Sequence, residues 1–132
     1  IGGHAGIFSN ANDVAKIMHM YMNGGDDGGR RFLEQETVEK FNTCYNCDKN
    51  VRRGVGFDKP QLGKSGPTCG CVSMNSFGHS GFTGTLAWAD PEEEIVFVFL
   101  SNRTFPDVDN RKLISENIRE KIQQVIYDSI DF

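Results

Sequence analysis

The 132-residue sequence predicts an α/β chain of the α+β type: an antiparallel sheet of at least three strands, with helices packed on it from both ends of the chain. Three observations predict it. Apolar residues recur at helical spacing between Ser9 and Asn23, three strand-like segments crowd between Ser76 and Ser101, and a second helical stripe runs from Asn110 to about Ile130.

Ser9 stands at the N-cap position of the first helix, and Val14, Ile17, Met18 and Tyr21 follow at i, i+3, i+4 and i+7 until Gly24-Gly25 stops the pattern. A glycine-rich turn, Gly24 to Gly29, leads to a shorter helix from Leu33 to Phe41, in which Leu33, Val38 and Phe41 share a buried side. The polar stretch from Asn42 to Ser76 reads as an irregular connection in which only Val55-Gly56-Phe57 is strand-like. Ser76 to His79, Thr83 to Ala89 and Ile95 to Ser101 read as strands, and Asp90-Pro91-Glu92-Glu93 joins the last two as an antiparallel hairpin. Ile95 to Leu100 is apolar on both faces, the pattern of a central strand covered on both sides. The last helix supplies one cover through Ile114, Ile118, Ile122, Val125 and Ile126, with Glu116, Arg119, Glu120 and Lys121 turned away. The other cover is expected to lie outside this chain, which predicts an exposed apolar sheet face and self-association through it.

The chain reads as one domain, residues 1–132, and its 38% hydrophobic and 24% charged residues with 15 glycines describe a folded, turn-rich protein. A net charge of −4 argues against nucleic acid as the main partner, and Arg30-Arg31 and Arg52-Arg53 read as solvated loops. The longest apolar run, Ile95 to Leu100, is strand-sized, so no membrane span is expected. Ile1-Gly2-Gly3-His4 lacks methionine and the regions of a signal peptide, as if cut from something longer.

Gly78-His79-Ser80-Gly81-Phe82 is one residue short of a Gly-x-Ser-x-Gly nucleophile elbow, but that elbow runs from a strand into a helix and here a strand pattern follows. Ser80 is therefore not read as a nucleophile. Taken alone, His79 reads as a hydrogen-bonded strand histidine beside a glycine bend. His4 and His19 have no partner at ligand spacing; His4 reads as a loop residue and His19 lies off the helix stripe. Cys44-x-x-Cys47 and Cys69-x-Cys71 fit tetrahedral zinc, one or two disulfides including a bridge between the clusters, or free thiols, and the spacing leaves all three open.

Phe77-Gly78-His79-Ser80-Gly81-Phe82-Thr83-Gly84-Thr85, followed by a hairpin and a terminal helix, resembles the third motif of β-lactamase and penicillin-binding-protein type serine hydrolases, written Lys-Thr-Gly or His-x-Gly. Gly3-His4-Ala5-Gly6-Ile7-Phe8-Ser9, ahead of the first helix, is similar to the Gly-x-x-Gly-Leu-Phe-Ser-Thr-Ala segment of the same family. The resemblance covers nearly the whole chain apart from Asn42 to Met74. It implies the C-terminal part of a five-stranded antiparallel sheet flanked by helices, in a periplasmic or otherwise exported bacterial protein acting on β-lactam, peptide or ester carbonyls without cofactor or metal. By the same resemblance, His79 faces the substrate carboxylate or the proton-transfer network, Gly81 leaves room for substrate against the strand, and the Phe82 backbone N–H is half of an oxyanion hole. Ser80 and Thr83 would touch substrate.

The departures bear on activity. No serine of this sequence has a lysine three places on, so the Ser-x-x-Lys nucleophile is expected in a missing N-terminal part of the same domain, and the chain alone is expected to be inactive. Tyr21-Met22-Asn23 spells the family's Tyr-x-Asn, yet Tyr21 continues the helix stripe and reads as core. Two readings from other classes stand beside the hydrolase: a non-catalytic binding or structural module of the same fold, and a zinc-stabilised interaction domain.

Overall fold

The computed structural model describes residues 2–3, 5–61 and 66–130. His4 lies outside them. Helix α1, Ala11–Met22, is capped by Asn10, whose side chain accepts from the Asp13 N–H, one residue later than the Ser9 cap expected. The glycine-rich turn is a small hairpin of β1, Asp26–Asp27, and β2, Arg30–Arg31, turned by Gly28 and Gly29 at positive φ. Helix α2 spans Gln35–Asn42. The following connection holds a short 3-10 turn, Cys47–Lys49, and two isolated bridges, Arg53 with Asp58 and Asp58 with Gly78.

Strands β3, Phe77–Ser80, β4, Leu86–Asp90, and β5, Ile95–Phe99, form one antiparallel sheet in the order β3-β4-β5. The hairpin expected at Asp90-Pro91 is present, with Asp90 opposite Ile95 and Glu94 at φ 56° closing the turn. The central strand is β4, where Leu86, Trp88, Ala89 and Asp90 are buried; β5, expected to be central, is an edge among the described residues. Its apolar character on both faces has a different cause. Met18 of α1 packs with Phe77 and Ala89 on one face, with Val96 of β5 against them, while Trp88 and Phe97 pack with Tyr127 on the other. Both faces are thus covered from within the chain. The exposed apolar sheet face expected from sequence is corrected: α1 covers it.

The C-terminal helix also departs from expectation. It is broken into α3, Lys112–Ser115, and α4, Ile118–Asp128, by Asn117 in the left-handed region at φ 50°. On α4 the buried side chains are Arg119, Glu120, Gln123 and Tyr127, whereas Ile122 and Val125 are exposed. The stripe read from residue type is therefore the outer one. Specific partners draw the polar face inward: Gln123 Oε1 accepts from the Cys69 N–H at 3.1 Å, Arg119 donates to the Gly84 carbonyl at 3.3 Å, and the Tyr127 hydroxyl donates to Asp90 at 2.8 Å.

Lys59 is buried in the same body, its ammonium donating to the Asn75 carbonyl at 2.8 Å and lying 5.7 Å from the Phe77 ring centre. Burial, helped by the neighbouring Arg52 charge, lowers its pKa from the ordinary 10.5 to about 8. Between those values the unfolded chain holds a proton that the folded chain has released, so stability rises as pH climbs through this window. Lys59→Met is expected to stabilise the protein by roughly 1–2 kcal/mol at pH 6.5. Urea midpoints should show that advantage shrinking toward pH 10.5, and an advantage equal at both pH values would refute the assignment.

Candidate active site

The hydrogen-bonding alternation of β3 decides what its end presents. Gly81 donates to the Thr85 carbonyl at 2.8 Å, so odd-numbered residues of this segment bond inward to β4. Gly78 bonds outward, exchanging hydrogen bonds of 2.7 and 3.1 Å with Asp58. Beyond that bridge, the peptide groups of Ser80 face the outer edge. The Phe82 N–H follows in the turn closed by Gly84 N–H to Gly81 carbonyl at 2.9 Å, and it has no acceptor among the described residues. The Phe82 ring is exposed and lies under the Arg103 guanidinium at 4.7 Å. The Thr83 carbonyl is occupied by Arg103 N–H and the Ser101 hydroxyl, at 2.9 and 3.2 Å.

Side chains alternate as well. Phe77 and His79 face the α1 side of the sheet, and Gly78 and Ser80 the α4 side, opposite Trp88 and Leu86. His79 and Ser80, adjacent in sequence, thus stand on opposite faces. At Gly81 a Cβ would collide with the Thr85 hydroxyl, so a side chain there would have to turn Thr85 aside.

His79 is half-exposed and held at both ring nitrogens. Nδ1 lies 2.7 Å from the Ser80 carbonyl, which only accepts, and Nε2 lies 3.2 Å from an Arg53 guanidinium nitrogen, which only donates. Of the two tautomers of a neutral ring, these partners suit the one with the proton on Nδ1 and the Nε2 lone pair directed at Arg53. The permanent positive charge at this position belongs to Arg53. Asp58 holds the guanidinium at 2.6 and 2.7 Å through one carboxylate oxygen, and its other oxygen is 3.8 Å from His79 Nε2.

Arg53 and Asp58 were not singled out by the sequence, which read Arg52-Arg53 as a solvated loop. Arg52 is in fact buried, with Nε bonded to the Pro60 carbonyl, and Arg53 reaches a histidine 26 residues away. Arg30 and Arg31 are exposed as expected. His19 of α1 pairs with Asp27 of β1 at 3.0 Å, and Tyr21 packs edge-on against Phe57 with ring centres 5.3 Å apart, in keeping with its stripe position.

The cysteines close as Cys44–Cys47 and Cys69–Cys71. This corrects the alternatives of a bridge between the clusters and of free thiols. The four sulfurs are not gathered as a zinc set, and no cluster of three or more potential metal ligands occurs among the described residues.

A β-lactamase family model matches residues 2–118. The chain is similar to proteins named "Putative D-alanyl-D-alanine carboxypeptidase" from Salmonella agona strain SL483, 33% identical over 114 residues, and Escherichia coli strain K12, 36% identical over 104 residues. These matches take in 86% and 78% of this chain but 26% and 24% of the relatives, so the chain spans about a quarter of the length of the curated relatives it matches. No helix among the described residues is long and apolar enough to cross a membrane. The match over most of the sequence agrees with the resemblance carried by the Phe77–Thr85 segment, and the chain belongs to the β-lactamase family.

Proposed function

We propose that the protein containing this chain is a serine acyl hydrolase, and that residues 1–132 are the C-terminal part of one β-lactamase-like domain forming one wall of its pocket. The observation that carries the reading is the pairing, at one end of β3, of an uncommitted Phe82 N–H with a histidine tied to a fixed cation. An amide N–H without an acceptor suits the oxyanion that develops when a nucleophile attacks a carbonyl; one such donor is worth about 3 kcal/mol. The nucleophile and its base would come from outside these residues, since the sequence has no Ser-x-x-Lys.

His79 would act as a hydrogen-bonding group that positions Arg53, and the guanidinium would draw a substrate carboxylate toward this end of β3. A free carboxylate is what a D-alanyl-D-alanine carboxypeptidase, as the relatives are named, would meet on its peptide. Peptide or ester substrates bearing one are thus the favoured class. Ser80 would contribute through its outward peptide groups, Gly81 by shaping the turn, and Thr83 from the turn's rim. Two disulfides fit an exported, periplasmic protein, because such bonds persist in oxidising compartments.

In the full-length protein, His79→Ala is expected to lower kcat/KM for an acyl ester by about 100-fold, in keeping with loss of one positioned polar group. Labelling by an acyl-serine probe should persist in that variant at a reduced rate. Unchanged turnover in His79→Ala, or covalent labelling of residues 1–132 by themselves, would overturn the proposal.

A further inference from the structure

The turn that follows β3 is held through its carbonyl oxygens. Gly81 accepts from the Gly84 N–H at 2.9 Å, Thr83 from the Arg103 N–H at 2.9 Å, Gly84 from the Arg119 guanidinium at 3.3 Å, and Thr85 from the Gly81 N–H at 2.8 Å. Behind the turn the space is closed, since a Cβ at Gly84 would collide with Leu113 and the Ser101 hydroxyl. Phe82 is the exception. Neither its N–H nor its carbonyl has a hydrogen-bond partner among the described residues, so its own main chain contributes nothing to fixing the direction of that N–H.

Arg103 supplies what Phe82 lacks, gripping it on both sides of its Cα. The Arg103 N–H takes the carbonyl of the next residue, Thr83, and the Arg103 guanidinium lies 4.7 Å from the centre of the Phe82 ring. That guanidinium is itself anchored: one of its nitrogens donates to the Val108 carbonyl at 3.2 Å and to the Asn110 carbonyl at 3.3 Å, in the loop ahead of α3. A ring that is 73% exposed thus rests on a cation tied to another part of the chain. The planar guanidinium suits this task, because it can stack on a ring while its edge stays bonded to carbonyls.

We propose that Arg103 is a positioning residue for the acyl transfer: it holds Phe82 so that the free N–H stays aimed at the developing oxyanion, and it acts through Phe82 without touching substrate. This rests on the acyl-hydrolase reading above and adds the residue that aims the donor. A donor lowers the barrier to the extent that it already points where the charge will appear, whereas one that swings has to be ordered at the transition state.

The test uses the full-length protein, 4-nitrophenyl acetate as substrate and phenylboronic acid as inhibitor. In the inhibited protein the serine oxygen bonds to boron, its proton passes to the base, and a boronate oxygen takes the place of the oxyanion. Arg103→Met is expected to lower kcat/KM about tenfold and to weaken phenylboronic acid by a similar factor. Phe82→Leu removes the ring but keeps the N–H, and its loss should not multiply with that of Arg103→Met in the double variant. The ¹⁵N order parameter of the residue 82 amide is a readout that needs no activity: about 0.85 is expected in the parent, and a lower value in either variant. An unchanged kcat/KM in Arg103→Met, or losses that multiply in the double variant, would overturn the proposal. If Arg103→Met does not fold, Phe82→Leu decides through the order parameter, a fall supporting the proposal and an unchanged value overturning it. A parent that neither cleaves the ester nor binds the boronic acid counts against the hydrolase reading, and the order parameters of the parent and Arg103→Met then decide the grip on Phe82 in the same way.

Discussion

Replacing Asp90 by alanine is expected to cost about 4 kcal/mol of stability, enough to shift a urea midpoint by more than 1 M. Asp90 is 1% exposed and accepts from the Ser73 N–H at 2.7 Å, the Ser73 hydroxyl at 2.5 Å, the Glu92 N–H at 3.2 Å and the Tyr127 hydroxyl at 2.8 Å. One carboxylate therefore ties the long connection, the β4–β5 turn and α4 together. Its removal leaves several donors facing a space that water does not readily reach. Burial, and then the hydrogen bond to Asp90, hold the Tyr127 phenol well above its ordinary pKa, so it remains a donor throughout the accessible pH range. Tyr127→Phe deletes a donor and leaves the acceptor its other partners, and should cost only about 1 kcal/mol. Equal losses in the two variants would show that the tyrosine contact alone accounts for the effect.

The second large effect is expected at Gly78. A Cβ there would collide with the Ala87 carbonyl oxygen and lie 2.5 Å from Trp88 Cε3 and 2.8 Å from Trp88 Cα. Trp88 is 1% exposed and boxed in by the core, and the carbonyl belongs to the neighbouring strand, so neither can yield without parting β3 from β4. Gly78→Ala should cost about 3 kcal/mol and displace His79 together with the strand end. Gly28→Ala makes the comparison: nothing lies within 4 Å, so only its φ of 61° resists, at about 1 kcal/mol. Thermal or urea unfolding of both variants checks the ranking, and a Gly78→Ala protein as stable as Gly28→Ala would mean that the β3–β4 contact is looser than described.

Where backbone period and residue type point the same way, the sequence was legible. Helix α1 and the three strands announce themselves through apolar spacing, and the Asp90-Pro91 turn through proline at its second position. Helix α4 was misread because burial there follows partners rather than hydropathy. Arg119, Gln123 and Tyr127 lie four residues apart and each finds a specific acceptor or donor inside, while Ile122 and Val125 are left outside. The site divides in the same manner. His79 could be found from its motif, since glycines and a strand surround it in one continuous stretch. Arg53 and Asp58 could not, because a bridge of single residues brings them to His79 and leaves no period in the sequence. The one local signal was Gly54-Val55-Gly56-Phe57 between them, a tight bend that returns the chain on itself.

The free side of β5 bears on how the molecule can be handled. Because Trp88 pairs with Phe97 on the hydrogen-bonded side, the amides and carbonyls of Val96 and Val98 point the other way, with no strand beside them among the described residues. Such a border is a template of fixed register, with a two-residue repeat that an extended polypeptide can read. The chain is thus suited to take up a separately supplied extended peptide as an added strand. A second copy of the chain would compete for the same border.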